Sequence, residues 1–362
     1  MISIIGAGPA GSYLAYLLAK AGKEVTIFEE HKDVGSPVQC TGIVTHSISQ
    51  FFSLTNDVIA NTMDTVKIIS KNNEITAKTR EIVMWRNKFD LFAADLAKKA
   101  GAKIETGHQF VGFSGKNTIK VKNKENNEIK EIKSEYIVGA DGPSSAVAKE
   151  AGIDVKSKFW IGMQAKVKLK SDTTVFETYF GDDFPNFFGW VVPESEDVVR
   201  LGLGAFENAN EYFYRFLKKR TGKKDIMCWE SGIFPVYDPK KIIQKGNVYL
   251  IGDAATQVKA TTGGGIIPSL KAAKTLSECI LHNKNYTFNY KIGSGKELRL
   301  HLLIRNILNK FKDADYDHLL ELMKQEKVQK VLKKYDRDTP IPLVMNLLLR
   351  EPRFLKYAKF VV

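Results

Sequence analysis

Metal chemistry and disulfide stapling find little to work with in this sequence. Cysteine occurs three times, at Cys40, Cys228 and Cys279. So few, so widely spaced and odd in number, they support neither a disulfide framework nor a zinc site, and they fit a reducing cytoplasm. The six histidines form no H-x-x-x-H pattern, so no metal is assigned. No apolar run reaches the ~20 residues needed to span a bilayer. The opening "MISIIGAGPAG" lacks the basic lead and long apolar stretch of a signal peptide. Helix-turn-helix, zinc-finger and RNP patterns are missing, which leaves nucleic acid the weakest partner class. Acid is in short supply: 54 Lys and Arg against 41 Asp and Glu give a net charge of +13. That excess suits an anionic membrane, an acidic substrate or a solvated lysine-rich surface. Apolar residues are plentiful at 44%, so the 362 residues read as a globular chain of one large or two ordinary domains.

The stretch "ISIIGAGPAGSYLAYLLAKAGKEVTIFEE" divides into parts with separate physical reasons. Ile2 to Ile5 is a short apolar run typical of a buried parallel strand. Gly6, Gly8 and Gly11 form a G-x-G-x-x-G turn. The first glycine of such a turn makes the tight bend, the second lets a pyrophosphate approach the backbone, and the third lets helix and strand pack closely. Leu14, Leu17, Leu18 and Ala21 mark a helix face, Gly22 ends it, and Val25 to Phe28 is a second strand. The helix start offers unpaired N–H groups and a positive dipole end to phosphate. Glu29 closes the second strand, 23 positions after Gly6, where an acid can accept from ribose hydroxyls. These parts, in this order, predict a dinucleotide site.

Two later stretches repeat the strand–turn–helix theme. "YIVGADGPSSAVAKEAG" runs a strand into Gly139-Ala140-Asp141-Gly142. "NVYLIGDAA" runs Val248 to Ile251 into Gly252-Asp253, then come Thr261-Thr262-Gly263-Gly264-Gly265 and a helix over "IIPSLKAAKTLSECIL". The succession resembles the FAD-binding fold of the glutathione-reductase class, its aromatic-hydroxylase subclass in particular. That resemblance implies that the late segment returns to the first domain and completes the cofactor site. Asp253 would reach the ribityl–phosphate region and the glycine run would lie against the isoalloxazine. The next helix would aim its N-terminus at the ring's pyrimidine edge, where a positive dipole end favours the anionic reduced flavin. Arg86, ahead of a helix expected to carry Phe89, Phe92, Ala93 and Leu96 on one face, would stand near the cofactor.

"EEHKDVGSPVQCTGI", "FPNFFGWVVP" and "GDAATQVKATTGGGI" together resemble the geranylgeranyl reductase family, FAD enzymes that saturate isoprenoid double bonds of archaeal ether lipids and of the chlorophyll side chain. Against the family pattern P-x-x-Y-x-W-x-F-P the chain has Pro185, Phe188 in place of the Tyr, Trp190, Val192 in place of the Phe, and Pro193. Gln39 stands where the family has a basic residue, the acid soon after the Cys is missing, and Ala260 replaces a Pro. The resemblance covers about the first 290 residues. It implies cofactor contacts at Gly6, Gly8, Ala10, Gly11 and Glu29; at Cys40, Thr41 and Ile43; at Arg86, Val111 and Asp141; and at Asp253, Gly263, Gly264, Gly265 and Ile266. It also puts Cys40 close to the flavin, as a catalytic thiol that gives a proton or aligns the alkene; a small residue fitting a tight turn is the plainer alternative. Phe184, Phe188, Trp190 and Pro193, with Phe187, would wall an apolar prenyl slot, against the alternative of plain sheet core.

The expected fold is α/β: a Rossmann-like FAD-binding domain with an inserted antiparallel-sheet substrate domain, roofing the flavin, and a helical C-terminal tail. Its boundaries are 1–62, 86–155 and 244–290 for the FAD domain, 63–85 and 156–243 for the substrate domain, and 291–362 for the tail. Residues 296–362 hold 15 Lys and Arg and 9 Asp and Glu, a net of +6. Such helices would cover a substrate mouth, rest on a membrane surface or present a solvated basic face. The expected activity is a prenyl-lipid reductase, cytoplasmic or peripheral to a membrane, fed by reduced ferredoxin, NADPH or reduced flavin. A flavin monooxygenase of a small aromatic, and a non-catalytic flavoprotein or lipid carrier, stay open beside it.

Overall fold

The structure, a computed structural model, describes residues 1–153, 157–222 and 226–361. In chain order, β1 (Ile2–Ile5), α1 (Pro9–Lys20) and β2 (Val25–Glu29) form the expected opening unit. β1 and β2 are buried along their whole length, as strands covered on both faces must be. β3 (Ile43–Thr45) and a long hairpin of β4 (Ile59–Ile69) and β5 (Glu74–Met84) follow. Next come α2 (Arg86–Lys99), β6 (Lys103–Thr106), the meander β7 (His108–Gly115), β8 (Thr118–Asn123) and β9 (Ile129–Lys133), then β10 (Tyr136–Gly139) and the short α3 (Ala146–Glu150). The inserted strands are β11 (Phe159–Lys168), β12 (Val175–Tyr179), β13 (Gly189–Pro193) and β14 (Val198–Ala205), closed by α4 (Ala209–Thr221), β15 (Cys228–Trp229) and β16 (Gly232–Pro235). β17 (Gln244–Lys245), β18 (Val248–Leu250) and α5 (Ile266–Leu281) make the late nucleotide element, and α6 (Tyr286–Ile292), α7 (Ser294–Leu308), α8 (Asp313–Met323), α9 (Glu326–Lys334) and α10 (Pro340–Arg350) follow.

The chain divides into two compact units. Unit 1 comprises 1–38, 86–158 and 235–298; unit 2 comprises 39–85, 159–234 and 299–362. Residues 39–62, expected with the FAD segments, thus group with unit 2, because β3 pairs with β5 and β5 with β4. From Arg299 onward the tail also groups with unit 2 rather than standing apart. The expected boundary at 155/156 lies outside the described residues.

Unit 1 holds a six-stranded sheet in the order β17-β18-β10-β1-β2-β6 and the three-stranded meander. β18 runs parallel to β10 and β10 parallel to β1, so the loops after all three leave the same edge of the sheet. The order reverses beside β1, which is where open α/β sheets bind ligands. α1 packs between α2 and α5. The buried face of α2 is Phe89, Asp90, Ala93, Ala94 and Ala97, not the expected set with Phe92 and Leu96. Alanines at that face let α1 approach closely.

Unit 2 is built on a nine-stranded sheet. From β15 through β11, β14, β13 and β12, and again from β4 through β5 to β3, neighbours run antiparallel, while β12 on β4 runs parallel. α4 covers β11 and β14 through Phe213, Phe216 and Leu217. The stretch Phe184–Phe188, which carries three of the expected wall aromatics, is a turn. Asn186 sits at φ 66°, a left-handed conformation no strand allows, and β13 starts only at Gly189.

Candidate active site

In unit 1 the three glycines of the first turn have different occupations. Gly6 has φ +102°, and a side chain there would lie 2.4 Å from Ala140 O. A Cβ on Gly11 would lie 2.1 Å from Gly6 O. These two are glycine because the chain itself leaves no room. Around Gly8 nothing lies within 4 Å. Protein packing does not ask for glycine there. A ligand lying against the backbone would, and the place is the start of α1, which has Pro9 at its first position and no side-chain cap at Gly8. Bare N–H groups, a positive helix end and open space fit a pyrophosphate.

Glu29, buried at the end of β2, accepts from the Ala7 N–H at 2.8 Å through one oxygen and from the His31 N–H at 2.9 Å through the other. His31 Nδ1 also lies 2.7 Å from it. The carboxylate therefore braces the glycine turn, and its remaining lone pairs are the ones available to ribose hydroxyls.

The late element meets the first directly. Gly252, at φ +67°, leaves space that a Cβ would close to 3.3 Å from the Ala10 Cβ. Arg86, the first residue of α2, donates to both oxygens of Asp90 at 2.9 Å. Its charge also acts on Asp253, so the start of α2 and the turn after β18 converge. Burial pushes the Asp253 carboxyl up to about 6, and the Arg86 guanidinium opposes that rise. A raised folded value means that Asp253 favours folding most below about pH 4 and that this contribution is lost as pH rises through about 6. FAD-free Asp253→Asn is therefore expected to match the wild type near pH 4 and to exceed it above pH 7, by up to about 3 kcal/mol. Equal melting temperatures at both ends of a pH series would show that the carboxyl is not held neutral.

Gly263 has φ +68° and donates to Lys259 O at 2.8 Å. A Cβ on Gly264 would lie 2.9 Å from the Lys259 Cε, and one on Gly265 would lie 3.0 Å from Asp253 Oδ1. The glycine run is thus tightly held by its own chain, and substitution there strains the protein before any cofactor is considered. Ile266 opens α5 directly after it. Asp141 acts locally. Its oxygens accept from Ser145 Oγ at 2.6 Å and Val147 N at 3.0 Å, fixing the start of α3. Burial raises its carboxyl above the ordinary value. Val111 is the extra residue of a bulge in β7, between Phe110 and Gly112, and its side chain is exposed.

Unit 2 holds the other expected site residues, Cys40, Thr41 and Ile43 with the four of the aromatic wall. Missing side chains make room for rings. A Cβ on Gly189 would lie 2.4 Å from the Phe184 ring, on Gly202 2.6 Å from Trp190, and on Gly204 2.6 Å from Phe187. Phe184 is core, packed edge-on against Phe216. Phe188 stacks on Phe187 at 4.4 Å and meets Trp190 edge-on at 5.7 Å. Pro193 ends β13, its carbonyl accepting from Asn61 Nδ2 at 3.1 Å.

A buried polar network, not anticipated from the sequence, ties this wall to the cysteine turn. Gln164, on β11 and 2% exposed, accepts from Thr41 Oγ1 at 2.6 Å and from Trp190 Nε1 at 2.8 Å, and donates to Glu230 at 2.9 Å. Arg200, 1% exposed, donates to Glu194, to the Thr41 carbonyl and to Met84 O. Lys166 pairs with Glu194 at 2.9 Å and faces Glu230 at 3.6 Å. Its sequence signal was polar residues at alternate positions of "IGMQAKVKL", Gln164 and Lys166 on one strand face. Cys40 is half-buried, its sulfur accepting from the Gly42 N–H at 3.4 Å, and Gln39 packs on Gly232.

A family model described as FAD binding domain matches residues 1–226. The chain belongs to the FAD binding domain family. Its cofactor is FAD. The flavoprotein is 28% identical to the digeranylgeranylglycerophospholipid reductase of Methanocaldococcus jannaschii over 99% of this chain and 97% of that one. It is 26% identical to the protein of the same name from Methanosarcina acetivorans, over 91% and 89%. Among solved structures, a geranylgeranyl bacteriochlorophyll reductase-like protein from Thermoplasma acidophilum superposes with a TM-score of 0.83, at 22% identity, over 100% of this chain and 98% of that one. That last likeness establishes the fold.

Proposed function

We propose that the chain is an FAD-dependent oxidoreductase acting on CH–CH bonds, which saturates isoprenoid double bonds of a geranylgeranyl lipid, an archaeal-type ether phospholipid or geranylgeranyl diphosphate. The observation that carries this reading is the extent of the likeness to digeranylgeranylglycerophospholipid reductases. It runs through the segments of both units, whereas a shared nucleotide fold alone would align only those of unit 1. The lipid substrate makes the chain a peripheral visitor to membranes. Reduced ferredoxin, NADPH or a reduced flavin serves as electron donor.

Bound FAD, once reduced, supplies a hydride to an alkene carbon. Saturation also takes a proton, and Cys40 is the chain's donor for it: the thiol protonates the second carbon and recovers its proton from water. The Gly42 N–H orients the sulfur, and Gln164 and Arg200 hold the adjoining Thr41 by side chain and carbonyl. An isolated alkene is a poor hydride acceptor, so positioning in a dry environment carries much of the work. Phe188 and Trp190 suit it, since rigid rings supply apolar area and the one polar atom of Trp190 is already bonded to Gln164.

Anaerobic, dithionite-reduced protein mixed with geranylgeranyl diphosphate is expected to return species heavier by two hydrogens per reduced bond in mass spectrometry. Cys40→Ser is expected to keep its FAD and slow single-turnover reoxidation by about 10²-fold, in the range of general-acid contributions. Failure of every prenyl compound to reoxidise the flavin would sink the reductase reading. An unchanged Cys40→Ser rate would leave the cysteine as a turn residue.

A further inference from the structure

The last described residues carry a triplet repeat that has no part in the flavin site. Arg353-Phe354-Leu355, Lys356-Tyr357-Ala358 and Lys359-Phe360-Val361 each read basic, aromatic, aliphatic. The segment Pro352–Phe360 is a 3₁₀ helix of 9 residues. Such helices rarely exceed about four residues, and with three residues per turn they eclipse side chains at i and i+3. A triplet repeat on this helix therefore makes three straight stripes. The aromatic stripe is turned inward: Tyr357 is buried with Phe311, Tyr316 and Leu322, and Phe354 and Phe360 pack against that cluster. The basic and aliphatic stripes are both exposed.

The preceding α10 continues the apolar surface. Pro342, Met345 and Leu349, at i, i+3 and i+7, face outward, and Leu349 is 76% exposed. The segment's own charge is mostly of one sign, while Asp315 of the neighbouring α8 acts on the inward-turned Tyr357. From Pro340 to Val361 there are four basic residues and one acid. That acid, Glu351, is 1% exposed and already bonded to Arg353 at 2.7 Å and to Lys327 at 3.1 Å. Arg350, Lys356 and Lys359 thus stand exposed without an exposed acid in the segment.

We propose that α10 and the 3₁₀ helix form the surface by which the protein lies on an anionic lipid bilayer, with Met345, Leu349 and Leu355 entering the headgroup boundary and Lys356 and Lys359 reaching lipid phosphates. Exposed aliphatic area alone would suit a second copy of the chain as well. Lys356 and Lys359, with no exposed acid in their own segment, favour a negatively charged sheet, because two identical basic rows repel. No helix among the described residues is long and apolar enough to cross a membrane, so this contact is one of lying on the surface. The inference rests on the lipid-reductase reading for its purpose but not for its geometry.

Vesicle flotation tests it, with phosphatidylcholine vesicles carrying about a quarter phosphatidylglycerol and with pure phosphatidylcholine as reference. Wild-type protein should float with the anionic vesicles and be released by added salt. Lys356→Glu/Lys359→Glu should weaken binding at least tenfold and blunt the salt dependence. Leu349→Ser/Leu355→Ser should also lose at least tenfold, with melting temperature and flavin spectrum unchanged. Turnover of detergent-dispersed geranylgeranyl diphosphate should stay at wild-type level in both variants, while turnover of vesicle-borne substrate falls. Wild-type protein that stays unbound, or variants that float like it, would overturn the proposal. So would a wild-type dimer in sedimentation velocity that Leu349→Ser/Leu355→Ser dissociates. If no prenyl compound is turned over at all, the reductase reading fails while the flotation result still decides the surface.

Discussion

Gly8→Val is expected to fold and to purify colourless, whereas Gly11→Val is expected not to fold. Both residues belong to one motif, yet their surroundings are opposite. A Cβ on Gly11 would sit 2.1 Å from Gly6 O, between β1 and α1 at the centre of unit 1. Side chains never approach backbone oxygen so closely, and overpacking of this severity separates the helix from the sheet. At Gly8 the backbone has φ −67° and ψ −179°, which any residue adopts, and a Cβ meets nothing within 4 Å. Valine there costs the protein little, but it fills the space in front of the α1 N-terminus that a pyrophosphate needs. Circular dichroism and thermal melting should place Gly8→Val within about 1 kcal/mol of FAD-free wild type. FAD titration should show at least a hundredfold weaker binding, or none. Wild-type FAD content in Gly8→Val would mean that the open space is not the pyrophosphate site.

The two glycines also show how far the sequence could be read. Strand, turn, helix and second strand were legible at the start of the chain because each has its own local signal. β1 and β2 are apolar throughout, Pro9 and Gly22 punctuate α1, and Glu29 follows at the right distance. The late element was legible for the same reason: α5 spans Ile266–Leu281 as its pattern indicates. That Gly265 is pressed by Asp253 of its own chain was not legible, since only three-dimensional neighbours show it. In "FPNFFGWVVP" the left-handed Asn186 keeps the first half out of β13, which starts only at Gly189, and a run of aromatics gives no local sign of that turn. Within the expected helical tail, α8 and α9 are parted at Gln325, whose ψ of 135° leaves helical space. The buried network around Gln164 and Arg200 escaped notice altogether. Its charged and amide members come from separate stretches, Gln164–Lys166, Glu194–Arg200 and Glu230, with Thr41, Met84 and Trp190 as partners, and no local pattern joins them.

Arg200→Met should be among the most damaging single changes in unit 2. The guanidinium is 1% exposed, lies over the Trp85 ring at 5.6 Å, and is held by Glu194 Oε2 at 2.8 Å from its Nε and 2.7 Å from its Nη2. Two cations, Lys166 and Arg200, balance two carboxylates, Glu194 and Glu230, in the same enclosure. Methionine fills a similar volume, so packing is largely kept, but one buried negative charge is left over and the Thr41 and Met84 carbonyls lose their donor. Breaking one side of a buried pair costs about 3–5 kcal/mol, a large share of the 5–15 kcal/mol by which whole domains are stable. Urea denaturation should therefore lose about that much. Removing the surplus charge as well, in Arg200→Met/Glu194→Leu, should recover at least about half of the loss, because the cost lies in the unpaired ion rather than in the missing contacts. Arg200→Lys should not restore function to the same degree, since an ammonium cannot serve Glu194 and two backbone carbonyls as a planar fork does. Its single-turnover reoxidation by a prenyl substrate should stay slow even where stability is regained, with the Thr41 carbonyl no longer fixed beside Cys40. A single-mutant loss below about 1 kcal/mol, or a double mutant no better than the single, would mean that water reaches Glu194 and that the network does not position the cysteine turn.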